Sequence, residues 1–159
     1  MSTQPALNDE QLFAALAEQL EPAAKALGAN YSSAQDPFQV MELLGQGPGT
    51  FRVILHDEGE ARAGDRDPTA VVLRTYKVTV SSNRGLPLLA GQPVVRGDAA
   101  TPSLLSRVSA VRDAMRAFRF PPGITSERLS YQGRNTVVYE GARLDAYELT
   151  FTLLAALPA

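Results

Sequence analysis

Cysteine is absent from the 159 residues, which excludes disulfides, thiol nucleophiles and every cysteine-ligated zinc or iron–sulfur site. Histidine occurs once, as His56, so no histidine cluster can hold a metal, and a Ser-His-Asp triad would have to use that residue. Lysine is scarce: Lys25 and Lys77 stand against thirteen arginines, a bias we read as GC-rich coding and not as a phosphate-binding device. Neither sign of charge is in large excess: 15 Lys and Arg stand against 17 Asp and Glu, a net of −2 with a pI near 5.4, so the whole chain has no electrostatic drive toward nucleic acid. No run approaches the roughly 18 uncharged apolar residues of a membrane helix. Residues 1–8 lack the basic start and apolar run of a secretory signal. The sequence therefore predicts a soluble chain, made in a cytoplasm, with few means of doing chemistry.

What is there is ordinary globular composition: 45% hydrophobic and 20% charged residues. A chain of this length buries roughly 70% of its unfolded surface, and residues 1–159 read as one domain.

Residues 8–27 read as an amphipathic helix. Asn8 and Gln11 are spaced as in a capping box, Leu12, Leu16, Leu20, Ala23 and Leu27 recur at helical spacing, and Gly28 ends the run. Pro22 predicts a kink there, or a break into two short helices. Residues 36–44 are open between a strand and a short helix; Asp36-Pro37 as cap and first turn, and Gly45 as stop, favour the helix.

From residue 50 the period is two. Phe51, Val53 and Leu55 alternate with Arg52 and His56, which predicts a half-buried strand with His56 on its polar side. A charged loop is expected over 57–68 and a second strand over 69–82, together an extended hairpin over about 50–82. Residues 83–102 read as an irregular connection. Over 103–118 the stripe Leu104, Val108, Val111, Met115 and Phe118 predicts a helix, closed by Pro121-Pro122-Gly123. The remainder, about 127–157, is β again, with a turn expected at Gly133-Arg134-Asn135. Its best strand has Tyr147, Leu149, Phe151 and Leu153 on one face, the expected partner of the helical stripe. Left at a sheet edge, residues 145–153 could also pair across subunits. The class is α+β: an antiparallel sheet with an extended hairpin and helices packed on one face.

The candidate chemistry is thin. Gly45-Gln46-Gly47-Pro48-Gly49 lacks the lysine and the following helix of a phosphate loop, so it reads as a turn. The acidic run Asp57, Glu58, Glu60, Asp65 and Asp67 lacks calcium-loop spacing and is interrupted by Arg62 and Arg66. His56 beside Asp57 has no nucleophile placed with it. Arg96-Gly97-Asp98 is a tripeptide too common to carry meaning. Catalytic, cofactor and metal residues are therefore expected to be none, and the chain is expected not to be an enzyme. On the 103–118 helix, Arg112, Arg116 and Arg119 fall along one flank of the apolar stripe and Arg107 along the other. The first three are the candidate subunit interface, with the acidic Glu58, Glu60 and Asp65 of a neighbouring copy as their counterpart.

The helix Ser103–Phe118, the turn Pro121-Pro122-Gly123, Leu129-Ser130-Tyr131-Gln132-Gly133 and the strand from Asp145 to Leu153 resemble the tail terminator proteins of long-tailed bacteriophages. The resemblance spans roughly residues 50–157, and the N-terminal helix fits in position and length. It carries no catalytic residues. It implies a virion protein of the tail or neck, assembled in the bacterial host cytoplasm, whose copies form a hexameric ring. That ring would cap the tail tube, end its polymerisation and join tail to head-completion or neck proteins, while DNA passes through it without specific binding. Other head–tail connector or minor tail proteins, and a small α+β enzyme or ligand-binding domain, are the alternatives.

Overall fold

The computed structural model describes residues 9–45, 51–62, 71–83, 104–121, 123–125, 127–137 and 144–156. In chain order the elements are α1 (Asp9–Ala26), β1 (Ala29–Ala34), α2 (Pro37–Gly45), β2 (Phe51–Arg62), β3 (Val71–Asn83), α3 (Leu104–Ala117), β4 (Ser130–Val137) and β5 (Leu144–Ala156). Five strands form one sheet in the order β1-β2-β3-β5-β4, antiparallel except where β1 runs parallel to β2. This is the expected α+β class, with the β2–β3 hairpin at its centre.

Helix α1 buries Leu12, Leu16, Leu20 and Ala24 and runs unbroken through Pro22, where the sequence predicted a kink or a break. Buried residues on both sides of the proline hold the helix together, so packing outweighs the one missing N–H. The helix stops at Gly28, whose φ of 69° only glycine adopts freely.

Strand β1 has no alternation of apolar and polar residues, and the sequence reading passed over it. It forms because β2 offers it a continuous edge, from Ala29 opposite Phe51 to Ala34 opposite His56. The segment 36–44 is helical. The Gln39 N–H donates to Asp36 Oδ1 at 2.8 Å, and the Gln35 N–H donates back to Gln39 Oε1 at 2.7 Å, a reciprocal cap.

Both faces of the sheet are covered in part. On one, α1 and α3 pack on Val53, Leu55, Tyr76, Val78, Val80, Leu149, Phe151 and Leu153. The α3 stripe and the β5 face lie in one core with the leucines of α1, and α3 packs closest to α1, β3 and β4. Phe118 is only half-buried; the buried ring is Phe120, which meets Phe118 edge-on at 4.9 Å. On the other face, α2 sets Val40 and Leu44 against Ala34 and Ile54. The helices therefore do not all share one face as expected. Val53-Ile54-Leu55 is apolar on both sides of the strand, and α2 is the cover for Ile54.

Strand also replaces part of the expected loop 57–68. β2 pairs with β3 as far as Arg62 opposite Val72, with a bulge between Asp57 and Gly59. Gly59 takes φ 122° and its N–H donates to Asp57 Oδ1 at 2.9 Å. The inserted residue, Glu58, resets the alternation, so that Glu60 stands opposite Arg74. Residues 63–70, including Asp65, lie outside the described residues, as does the connection 84–103. The turn expected at 133–135 is instead continuous strand: β4 carries a bulge, with Gly133 at φ 132°. Strand β5 is interior, between β3 and β4, so the sheet edges are β1 and β4.

Candidate functional site

The candidate interface residues occupy three separate situations. Arg112 Nε lies 3.1 Å from Oδ1 of its own neighbour Asp113. Arg119 Nη1 donates to the carbonyl of Phe118 at 2.9 Å and to that of Arg116 at 3.2 Å, closing the end of α3. Arg116 is exposed, and its side chain is unpaired among the described residues. Of the acidic counterparts, Glu60 is placed only by its backbone in β2, and Asp65 lies outside the described residues.

Glu58 is engaged within its own chain. Lys77 Nζ sits 2.9 Å from Glu58 Oε2 and 2.9 Å from Glu148 Oε1, so one ammonium ties β2, β3 and β5 together on the face away from α1 and α3. The bulge brings Glu58 within reach, and Glu148 is the diagonal neighbour of Lys77, beside its direct partner Thr150. Burial alone would depress the Lys77 pKa, but the hydrogen bonds its ammonium donates to Glu58 and Glu148 outweigh it and hold the pKa above its ordinary value. Such a lysine is a fixed cation and a poor nucleophile at neutral pH.

His56 stands directly opposite Lys77 and is 9% exposed. The sequence had placed it on an open polar side; α2 and the neighbouring strands enclose that side instead. No described group of three or more His, Asp or Glu side chains is arranged to hold a metal ion. Beside it, Lys77, Glu58 and Glu148 form a clip between strands.

Arg107, on the other flank of α3, is buried at 6% exposure. Its Nε donates to the Leu27 carbonyl at 2.8 Å, and its guanidinium lies 3.4 Å above the Phe51 ring. Burial lowers its pKa from the ordinary arginine value. Arg74, buried under α1, pairs with Asp9 in the first turn of that helix. Both arginines fasten the fold and are unavailable to a partner.

The sequence reading missed an exposed apolar ledge on α2, where Phe38 is 79% and Met41 57% exposed, one helical turn apart. A signal existed: Phe38-Gln39-Val40-Met41-Glu42-Leu43-Leu44 holds more large apolar residues than one buried stripe can take. No described helix is long and apolar enough to cross a membrane.

No family model matches the chain, and no curated protein matches it in sequence. Among solved structures, a chain of the virion of a native gene transfer agent particle is similar. It is 19% identical, covers 91% of this chain and 94% of its own, and has a TM-score of 0.57. A crystal structure from Akkermansia muciniphila is 8% identical over 100% of this chain and 83% of its own, with a TM-score of 0.41, too low to carry an argument. What is shared with the gene transfer agent chain, over the matched part of both, is the fold.

Proposed function

We propose that the chain is a non-catalytic structural subunit of a phage-like virion, and within it the tail terminator. Its copies form a hexameric ring that caps the tail tube, ends its growth and joins the tail to head-completion or neck proteins. The observation that supports this is the fold held in common with a chain of the gene transfer agent virion over 91% of one and 94% of the other. The tail and neck position comes from the sequence resemblance.

Two properties suit the role. The strands of the β2–β3 hairpin are 12 and 13 residues long, roughly 40 Å at the rise of a strand, a span that can reach a neighbour. A net charge of −2 lets duplex DNA pass a ring lumen with little non-specific hold on its phosphates. The partners are further copies of the chain, the tail tube protein and a head-completion or neck protein, with no cofactor and no membrane.

The test is to add the purified chain to tail tube protein as it polymerises. The expected result is ring particles in negative stain and tubes that stop elongating with a ring at one end. Tubes that grow equally long with and without the chain, and no ring at any concentration, overturn the reading.

A further inference from the structure

The exposed charges of α2 and α3 differ in sign. Helix α2 carries Glu42 and no base, and Asp36 stands just before its first residue. Helix α3 presents Arg116, while Arg112 is paired with Asp113, and Arg134 of β4 lies over the Tyr147 ring on the face that α3 covers. Helix α2 packs on β1 and β2 across the sheet from α3, which packs toward β3 and β4, so the two signs stand on opposite faces and toward opposite edges of the sheet.

Helix α2 also holds the apolar ledge. A phenyl ring 79% exposed beside a methionine 57% exposed is unfavourable in water, and aromatic, methionine and arginine side chains are the ones enriched at protein interfaces. What covers the ledge must bring an apolar surface and a positive charge, because Glu42 and Asp36 flank it. Arg116 answers that description: its stem can lie on Phe38 while its guanidinium meets Glu42. Two copies of α2 facing each other would set Glu42 and Asp36 against their own kind, which disfavours a symmetric contact.

We infer that copies of this chain join head to tail, the α2 ledge of Phe38, Met41 and Glu42 on one copy seating on the α3–β4 end of the next around Arg116. This rests on the ring reading above and names the surfaces that make the ring. Each copy keeps one unsatisfied surface after pairing, so the contact propagates until rotation closes it.

Native mass spectrometry and sedimentation velocity of four proteins test it: wild type, Phe38→Asp, Arg116→Glu, and the swap Glu42→Arg with Arg116→Glu. All three positions are exposed, and an unchanged circular dichroism spectrum checks the fold. Wild type should assemble as concentration rises. Phe38→Asp and Arg116→Glu should each weaken self-association on the order of tenfold, and the swap should recover most of it. An equimolar mixture of Phe38→Asp with Arg116→Glu should give heterodimers and nothing larger, because only one contact in the pair is intact. If wild type forms rings and both single variants form them at the same concentration, this contact is wrong and the ring reading stands. If wild type remains monomeric at every concentration reached, both fall.

Discussion

The guanidinium of Arg107 lies 3.4 Å above the ring of Phe51 while its Nε donates to the Leu27 carbonyl at 2.8 Å. One side chain of α3 thus closes the C-terminal end of α1 and covers the first residue of β2. The cation stands where the α1 carbonyls concentrate negative potential, and that field offsets part of the cost of burying it.

Replacing Arg107 by methionine keeps the bulk and removes both interactions. Loss of a charge-assisted hydrogen bond to a buried carbonyl should cost about 1.5–3 kcal/mol in urea unfolding. Arg107→Lys should lose less, because a point charge keeps the attraction while the flat stacking on Phe51 goes. Unfolding midpoints equal to wild type for the methionine variant would show that the contact contributes nothing.

Phe151 of β5 is fully buried in the core shared with α1 and α3, with the Tyr131 ring 5.4 Å away. Phe151→Ala should cost about 3–5 kcal/mol. Phe118→Ala should cost clearly less, because Phe118 is only half-buried against the same core. Equal losses in denaturant titrations would contradict the placement of these two rings.

The Lys77 clip makes a prediction with a definite sign. Its folded pKa lies above the ordinary 10.5, so its contribution is complete below that pH and is lost as pH rises through the folded value. Lys77→Met should destabilise by about 1 kcal/mol near pH 8. The gap from wild type should narrow as pH is raised past 10.5, measured by urea melts at both ends of that range. A gap that is constant with pH assigns the loss to packing and not to the ion pairs with Glu58 and Glu148.

Helix α2 has nine residues and depends on its cap. Asp36→Ala removes the acceptor for the Gln39 N–H and should cost about 1 kcal/mol, read as a lowered thermal midpoint. Asp36→Ser should recover most of it.

Periodicity and punctuation were enough for much of the architecture. The stripes Leu12–Leu16–Leu20 and Leu104–Val108–Val111–Met115, the alternation Tyr147–Leu149–Phe151–Leu153 and the stop at Gly28 are local patterns, and the structure realises each of them. The Asp36-Pro37 cap belongs with them, since its bonds run within four residues. Of the candidate interface, the exposure of Arg116 was legible from helical phase. The self-pairing of Arg112 and the carbonyl contacts of Arg119 were not, because both depend on how a long side chain folds back at a helix end.

What the linear pattern could not contain is everything set by the order of strands. Ala29–Ala34 is a strand only because β2 presents an edge to it. Pro22 is tolerated only because residues packed on either side of it keep α1 whole. The bulge at Glu58 and the pairing of β3 with β5 bring Glu58 and Glu148 to Lys77 from 19 and 71 positions away in the chain. Hydrophobic periodicity records which face of an element is buried, whereas register, sheet order and the side on which α2 lands are settled by competition among long-range pairings. Those pairings leave a trace in the sequence only as residues that look out of place, such as Ile54 between two core valine and leucine neighbours and Phe38, which no described residue covers.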